Sequence, residues 1–377
     1  MTRQCFARIY LNRLRNNFQR IQRLVGSSVE LFPVVKADAY GHNSIECAKA
    51  LIKEGVKTFC VACAEEAIEI LDSGVNARFI LLSGVFPGEE KIVVERGLIP
   101  VVSEAGACER LAKEAQKQGR NAMVHLKIDT GMGRLGVCPE GFSDLLKSVS
   151  HLKRLEIEGV LSHLSSADSH SPEAVKYTKA QIDDFSLIVK ALQAQMPSVR
   201  YFHLAGSAGM VKYPEARFNS ARPGLMLYGA NPFYPEKLAK LNLDPVMSLV
   251  SRICLIKTLP QGSRISYGGK TILKRTSRVG VVPAGYADGI PRSAPPGFEF
   301  LVKGKPAPLL GVVTMDLIMV DLTDIPEAKP GDEILLFGRE GRSELRVEKL
   351  AQACHTISYE IFTRLGKRVK REYLCSE

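Results

Sequence analysis

The chain has 377 residues, of which 45% are hydrophobic and 24% charged, as expected for a folded protein large enough for two domains. No apolar run approaches the roughly 18 residues that predict a transmembrane helix, and the N-terminal stretch MTRQCFARIY lacks the apolar core of a signal peptide. We therefore expect a cytoplasmic protein that does not enter a membrane.

Charge and cysteine content narrow the range of ligands. The 51 lysines and arginines exceed the 40 aspartates and glutamates, and the net charge of +11 suits an anionic small molecule as well as nucleic acid. The densest basic run, at 364–373, has no interleaved stacking aromatics, so it indicates a solvated surface and no nucleic-acid partner. The nine cysteines are irregularly spaced, and Cys60 and Cys63 have no second pair to complete a zinc site, so we predict no metal.

In chain order, short β-branched or apolar runs alternate with helix-length amphipathic segments, which is the pattern of parallel β/α units. The runs span residues 31–37, 58–63, 77–84, 99–104, 123–129, 157–164, 199–207 and 221–229. Eight such units in about 230 residues fit a (β/α)8 barrel better than an open sheet.

The pattern changes beyond residue 240, where strand-like segments follow one another through Gly/Pro turns. These segments lie at 246–259, 277–287, 307–322 and 332–338. We therefore predict an α/β fold with a barrel domain over residues 1–238 and a mostly-β domain over 239–377. We expect roughly the first 10 residues to pack with the second domain.

The glycines of HLKIDTGMGRLGV, residues 125–137, have the spacing G-x-G-x-x-G of a dinucleotide-binding loop. In such a loop the third glycine opens a helix whose N-terminus faces the pyrophosphate. Here Pro139 follows Gly136 by three residues and begins its own helical pattern, so the helix starts too late. We interpret the glycines as a tight loop that presents Arg134.

Polar side chains recur at the carboxyl ends of the predicted barrel strands, where barrel enzymes place their sites. Lys36 lies in the apolar first strand, where burial should depress its pKa; a lysine that reaches solvent at the rim is the alternative. The later strands carry Lys127, Asp129, Arg134, His163, His203, Ser207 and Arg222. A ring of such residues on one face of a barrel indicates an active site.

Motifs along the whole chain resemble, in order, those of the alanine racemase family. They are PVVKADAYGHN, KIDTGMGRLG, EGVLSHLSSAD, HLAGSAG, ARPGLMLYG, ISYGG, GYADGIPR, GVVTMDLIMVDL and TISYEIFTRL. The resemblance implies a barrel, a C-terminal β domain, pyridoxal 5'-phosphate (PLP) as cofactor and alanine as substrate. It also implies a head-to-tail homodimer with shared active sites that supplies D-alanine for peptidoglycan.

The resemblance assigns catalysis to two residues. Lys36 would hold PLP as a Schiff base and serve one face of the substrate carbanion, while Tyr267 of the partner subunit would serve the other. A phenol is a poor base at neutral pH, so a neighbouring positive charge must help it to ionise. His163 and Arg222 match the family's relay from this tyrosine towards the pyridine nitrogen.

The remaining assignments concern binding. Arg134 resembles the arginine that contacts the substrate carboxylate, and Lys127 matches a lysine that is carbamylated in some members and orients that arginine. The backbone N–H of Met315 matches a second contact to the carboxylate, and Tyr286 resembles a tyrosine at the entrance. The predicted cofactor-binding residues are Lys36, Tyr40, His163, His203, Ser207, Arg222, Gly224, Leu225 and Tyr359.

Some alternatives stay open. Taken alone, Ser207 could cap a helix and Met315 could fill a core. Gly206 stands where the family commonly has asparagine, and Thr314 where cysteine or serine often precedes the Met-Asp pair, so substrate specificity is less firmly implied than the chemistry. A PLP-dependent decarboxylase would place a carboxylate where Arg222 stands, and a non-catalytic PLP-binding barrel would lack the β domain.

Overall fold

A computed structural model describes residues 4–236 and 241–375 of the chain, which form a barrel and a mostly-β domain. The predicted domain boundary between residues 238 and 239 lies outside the described residues. Within these residues, no helix combines the length and apolarity that a membrane crossing requires. The first strand, β1 (Phe6–Tyr10), belongs to the sheet of the β domain, although it precedes the barrel in the chain.

The barrel is an eight-stranded parallel sheet whose two ends meet. Its strands are β2 (Glu30–Leu31), β3 (Thr58–Val61), β4 (Arg78–Leu81), β5 (Ile99–Val102), β6 (Ala122–Lys127), β7 (Leu155–Leu161), β8 (Tyr201–His203) and β9 (Ser220–Ala221). They are hydrogen-bonded in the order β2-β9-β8-β7-β6-β5-β4-β3, and a parallel bridge between Val34 and Cys60 joins the two ends. The prediction of a (β/α)8 barrel is therefore confirmed.

Helical segments surround the barrel, and all but the irregular second segment are right-handed helices. The segments are α1 (Leu11–Val25), α2 (Lys36–Gly41), α3 (Ser44–Ile52), α4 (Ala64–Asp72), α5 (Glu90–Glu95), α6 (Ala105–Gln118), α7 (Phe142–Val149), α8 (Pro172–Gln195) and α9 (Ser207–Lys212). In α1 the buried residues Leu14, Phe18 and Ile21 recur every three or four positions, as a helix packed on one side requires. Each such side chain contributes about 1.5–3 kcal/mol of burial free energy.

The β domain contains a ten-stranded sheet, a separate two-stranded sheet of β12 and β13, and two helices that precede the last strand in the chain. Its other strands are β10 (Met247–Arg252), β11 (Leu255–Leu259), β12 (Arg264–Ile265), β13 (Thr271–Ile272), β14 (Ser277–Val282), β15 (Glu299–Val302), β16 (Lys305–Leu310), β17 (Ile318–Asp321), β18 (Glu333–Glu340), β19 (Ser343–Leu345) and β20 (Lys370–Leu374), and the helices are α10 (Val347–Ala353) and α11 (Ser358–Thr363). β1 pairs antiparallel with β10 and parallel with β20, so strands from both ends of the chain lie side by side at one edge of the large sheet.

The segment after the first barrel strand differs from the extended strand predicted for residues 31–37. The strand is short, and α2 follows it as a left-handed turn in which Ala37 to Tyr40 all have φ between 51° and 53°. Left-handed backbone costs roughly 1–2 kcal/mol per residue other than glycine. Four such residues in succession persist only because the surrounding structure holds them.

Candidate active site

Lys36 is the first residue of this left-handed turn, at the carboxyl end of the first barrel strand. The preceding residue is fixed, since the Val35 N–H donates to the Cys60 carbonyl at 2.8 Å. Lys36 is half-buried, and burial lowers the pKa of its amine; the positive charge of Arg134 lowers it further. A larger fraction of this amine is therefore neutral at neutral pH than for an exposed lysine, as a nucleophile or base requires.

The glycine-rich loop after β6 is built around one carboxylate. Asp129 Oδ1 accepts the N–H groups of Gly131, Met132 and Gly133 at 3.0, 2.7 and 3.1 Å, and Oδ2 accepts that of Arg134 at 3.1 Å. The donors that would face a pyrophosphate in a dinucleotide loop are thus occupied by the chain itself. The loop instead holds the backbone of Arg134 through Asp129.

Lys127 ends β6, and the positive charges of Arg134 and Arg222 act on its amine. Burial lowers the pKa of its amine to about 8, with smaller contributions in the same direction from Arg134 and Arg222. Its side chain lines a cavity of about 330 Å³ bounded by the loops after β4 and β5. Lys127 therefore combines a substantial neutral fraction near pH 8 with access from outside the barrel.

Arg222 is buried at the centre of the site. Its guanidinium donates to the carbonyls of Ser162 and Leu204 at 2.6 and 3.0 Å, and it lies 2.7 Å from His203 Nδ1 and 3.3 Å from His163 Nδ1. Burial lowers its pKa to about 10, so it remains a cation at neutral pH. Burial and the charge of Arg222 lower the pKa of His163 to about 3, which keeps that imidazole neutral.

A chain of buried polar residues runs down the barrel from Arg222. His203 Nε2 lies 2.8 Å from His125 Nδ1, and His125 Nε2 lies 3.7 Å from the carboxylate of Glu158. His203 is fully buried and supports Arg222 from below, instead of lining the cavity beside it. His125 and Glu158 are not among the predicted site residues, although each is a polar residue within an apolar strand, which is a signal that the sequence does carry.

A cavity of about 420 Å³ opens beside this cluster. Its lining includes His163, Gly206, Ser207, Leu225 and Tyr359, of which all but Gly206 are predicted site residues. Ser207 does not cap a helix with its side chain; its Oγ accepts the N–H groups of Gly224 and Met226 at 3.1 and 3.4 Å. The Ser207 hydroxyl and two backbone N–H groups therefore lie together at one part of the cavity wall.

Tyr40 and Gly224 fit closely at this point. A Cβ at residue 224 would lie 2.7 Å from Tyr40 Oη, so any other residue there would displace the Tyr40 hydroxyl. The Tyr40 ring also packs against those of Tyr228 and Tyr359, at centroid distances of 4.9 and 5.6 Å. Burial raises the pKa of Tyr40, and that of Tyr359 to about 12, so both hydroxyls are neutral hydrogen-bond donors.

The predicted site residues of the β domain lie on exposed loops. Tyr267, Met315 and Tyr286 are 73%, 52% and 41% exposed, and none of them lines the 420 Å³ cavity of this chain. Two of the loops are joined, because the Tyr286 N–H donates to the Thr314 carbonyl at 3.0 Å. The Thr314 hydroxyl also closes its own turn by donating to the Leu317 carbonyl at 2.7 Å, which keeps Met315 at the tip.

Two arginines of the basic run at 364–373 hold neighbouring loops together; Arg368 is exposed, as a solvated face predicts, and Arg371 is half-buried. Arg368 donates to both carboxylate oxygens of Asp288, at 2.9 and 3.0 Å, and to Asp316 at 2.8 Å. Arg371 Nε donates to the Gly41 carbonyl at 3.3 Å. Arg368 thus joins the loop that carries Tyr286 to the loop that carries Met315. Arg371 holds the end of the left-handed turn.

The fold and the site together define a class of protein: a barrel with a lysine of lowered pKa, a buried arginine and a pocket lined in part by hydroxyl groups at the carboxyl ends of its strands. Residues 9–232 match the family model described as alanine racemase, N-terminal domain, and residues 246–373 match that described as alanine racemase, C-terminal domain. The chain belongs to the alanine racemase family, a family of isomerases.

Individual relatives agree over almost the entire chain. An alanine racemase from Thermodesulfovibrio yellowstonii is 39% identical over 380 residues, covering 100% of this chain and 99% of the relative. One from Halothermothrix orenii is 36% identical over 373 residues, covering 99% and 97%. The solved structure of an alanine racemase from Clostridium difficile superimposes with a TM-score of 0.91 at 32% identity, covering 99% of this chain and 96% of that one.

Proposed function

We propose that this chain interconverts L- and D-alanine with PLP as its cofactor. The observation that carries the proposal is the grouping of Lys36, Lys127, Arg134 and Arg222, which act on one another's pKa values at the carboxyl end of the barrel. These four basic side chains at one end of the barrel can bind two anionic groups, a phosphate and a carboxylate. The identity of 36–39% with relatives named alanine racemase supports alanine as the substrate.

The residues at the mouth fit PLP. The phosphate would be held by the hydroxyls of Tyr40, Ser207 and Tyr359 and by the backbone N–H groups of Gly224 and Leu225, with the Gly224 N–H exchanging the Ser207 hydroxyl for a phosphate oxygen. Near the other end, the Lys36 amine would hold the aldehyde carbon, and Arg222 would face the pyridine nitrogen with His163 beside it and His203 behind it. When bound, PLP takes up the substrate amino group covalently and withdraws the electron pair left by the Cα proton.

Racemisation needs a proton to leave one face of Cα and another to arrive on the opposite face. The neutral Lys36 amine, favoured by its lowered pKa, would accept the proton on one face. The hydroxyl of the partner subunit's Tyr267 would donate on the other face, and the roles would reverse for the opposite isomer. Arg222 would supply the positive charge that a tyrosinate needs, and the neutral His163, whose Nδ1 lies 3.3 Å from the guanidinium, would lie beside it.

The substrate carboxylate would be bound by Arg134 and by the backbone N–H of Met315, with Tyr286 at the entrance. Lys127 would act through Arg134. Its neutral amine can add carbon dioxide, forming a carbamate and releasing one proton, and the resulting anion would attract the guanidinium that the ammonium form repels. The pKa of about 8 makes the neutral amine available for this step.

The two bases would come from different subunits of a homodimer. Tyr267 and Met315 are exposed on the β domain, together with Ile272 and Leu317 at 48% and 38% exposure. Four exposed apolar or aromatic side chains on one domain are typical of a surface that binds another protein chain. A head-to-tail two-fold dimer would set this surface over the partner's barrel and complete two equivalent sites.

We place the enzyme in the cytoplasm, where it would supply D-alanine for peptidoglycan. All nine cysteines are free thiols, and five of them are buried. Free thiols on this scale suit a reducing compartment. Cell fractionation of the native host, with antibody detection of the chain, tests this location.

The deciding experiment is to follow the optical rotation of L-alanine with the PLP-loaded protein. We expect the rotation to fall to zero with no release of carbon dioxide. An amine and carbon dioxide would instead identify a decarboxylase, and PLP binding with unchanged rotation would identify a non-catalytic binding protein. Borohydride reduction followed by peptide mapping should place the pyridoxyl group on Lys36; another lysine in its place would contradict the site assignment.

A further inference from the structure

The left-handed turn that begins at Lys36 is fastened at each end by a different part of the chain. At its far end, Arg371 donates to the Gly41 carbonyl at 3.3 Å, and within the turn Asp38 accepts the Ser44 N–H at 2.8 Å. These contacts hold the portion of the turn farthest from the amine. The end next to Lys36 depends on a contact with α4.

Glu66, in the first turn of α4, binds two backbone amides at once. Its Oε1 accepts the N–H of Ala37 at 2.7 Å, and its Oε2 accepts the N–H of Ala62 at 2.7 Å. Ala37 directly follows Lys36, and Ala62 directly follows β3. One carboxylate therefore ties the residue next to the lysine to the neighbouring strand and to α4, through hydrogen bonds strengthened by its charge.

The bond to Ala37 acts where the backbone is most constrained. Ala37 is the first of the successive non-glycine residues with left-handed φ, at 51°. Such a conformation reverts to an ordinary one unless neighbouring groups impose it. Because the φ of Ala37 and the ψ of Lys36 flank the same peptide unit, release of this N–H would turn the backbone from which the lysine side chain projects.

The Glu66 carboxylate also acts on the charge of Lys36. Burial, the largest influence, and Arg134 lower the pKa of this lysine, whereas Glu66 raises it. The charged and titratable groups that interact with Lys36 are Glu66, Cys60, Lys127, Arg134 and Arg222. A variant without the carboxylate would therefore hold a lysine that loses its proton at lower pH.

We infer that Glu66 is a positioning residue for Lys36: its carboxylate holds the left-handed turn against β3 and α4 and so fixes the lysine amine at the mouth of the barrel. Glu66 contacts neither substrate nor cofactor in this role. The inference rests on the proposed function in one respect, which is that the Lys36 amine is the group that holds PLP.

The test compares Glu66→Gln and Glu66→Ala with Glu65→Gln. Glutamine keeps one acceptor oxygen and alanine keeps none, while Glu65 is an exposed carboxylate one residue earlier on the same helix. In the full-length chain freed of cofactor, trace acetic anhydride labels Lys36 across a pH series, and peptide mapping gives its titration curve. PLP affinity is then measured by absorbance titration, and urea unfolding reports on the fold.

We expect the Lys36 titration curve of both Glu66 variants to shift to lower pH. PLP should bind about 10-fold more weakly to Glu66→Gln and about 100-fold more weakly to Glu66→Ala, on the scale of one and two lost charged hydrogen bonds. Glu65→Gln should match the parent chain in both measurements. A purely structural role would lower stability without moving the Lys36 curve.

The inference is overturned if Glu66→Gln shifts the Lys36 curve no more than Glu65→Gln does, or if its PLP affinity equals that of the parent chain. Should Glu66→Ala fail to fold, Glu66→Gln decides, since it retains one of the two bonds. Lys36 labelling is read without substrate, so it tests Glu66 even if the parent chain does not racemise alanine. Failure of racemisation would count against the proposed function alone.

Discussion

Arg222 and His203 are joined by two contacts: the guanidinium Nη1 lies 2.7 Å from His203 Nδ1 and 2.6 Å from the His203 carbonyl oxygen. Because a guanidinium only donates, Nδ1 must be the acceptor, which places the His203 proton on Nε2, towards His125 at 2.8 Å. Burial, and next the charge of Arg222, hold the pKa of His203 well below its ordinary value, so the ring is neutral. The buried residues of the barrel thus fix both the position of the Arg222 guanidinium and the tautomer of His203.

His203→Ala should therefore destabilise the protein. The substitution removes an acceptor from a buried cation and leaves a void in the barrel, so we expect the free energy of unfolding to fall by about 2–4 kcal/mol. Urea denaturation measures this change. His151→Ala, at an exposed position, is the control and should change stability by less than about 0.5 kcal/mol. Equal effects of the two variants would contradict the structural role of His203.

Glu158 should make stability depend on pH in the acid range. Burial alone would raise its pKa, but the neighbouring His125 and Arg78 lower it to about 2, below its ordinary value. A carboxylate with a depressed pKa in the folded state stabilises the fold above its unfolded pKa, and that contribution is lost as the pH falls towards 2. The contribution at neutral pH is about 3 kcal/mol.

The check is a series of urea denaturation curves between about pH 6 and pH 2.5. The gap in stability between the parent chain and Glu158→Gln should be widest near neutral pH and should narrow through the acid range. Glu156→Gln, at an exposed position on the same strand, should show a small gap throughout. A Glu158→Gln gap that stays constant with pH would refute the depressed pKa.

The barrel was predictable because its signal is local and repeated. Each strand is a short apolar run and each helix an amphipathic segment, so the alternation alone favours eight parallel units. The left-handed turn after Val35 was not predictable, because Ala37 to Tyr40 carry no glycine and only long-range contacts impose their φ. The strand predicted for residues 31–37 is therefore too long at its carboxyl end.

The contacts of Arg368, His125 and Glu158 were not predictable for the same reason, because their partners are distant in the sequence. The basic run was interpreted from its composition, but Arg368 pairs with Asp288, which lies 80 residues away in the chain. His125 and Glu158 also gain their meaning from partners on other strands. A polar residue inside an apolar strand can be noticed in a sequence, but its partner is chosen only when the strands are placed side by side.

Asp129→Ala should weaken substrate binding more than cofactor binding. Asp129 accepts four backbone N–H groups and so holds the loop that carries Arg134. We expect the KM for alanine to rise about 10-fold with little change in PLP affinity, as for the loss of roughly 1.4 kcal/mol of binding free energy. Asp129→Asn retains the oxygen that can serve the three Oδ1 contacts, so its KM should rise less. Parallel loss of PLP binding would show that the loop holds the whole site and not Arg134 in particular.

Lys127 should take up carbon dioxide from bicarbonate. Isotopically labelled bicarbonate should give a carbamate signal in the carbon NMR spectrum, and the signal should strengthen as the pH rises through about 8, where the amine becomes neutral. Lys127→Ala should abolish the signal, whereas Lys147→Ala, at a solvent-facing helix position, should retain it. A parent chain without a carbamate signal at high bicarbonate would remove this modification from the proposed site.

The shared active site is testable by mixing subunits. Lys36→Ala and Tyr267→Ala should each be nearly inactive, because each homodimer then lacks one of the two bases in both of its sites. In a mixed dimer with sites shared across the two-fold axis, one site carries both defects and the other carries neither. After dissociation and random reassembly half of the dimers are mixed, so about a quarter of all sites should regain activity. If both bases belonged to one chain, no exchange of subunits could unite them, and the mixture would remain as inactive as its components.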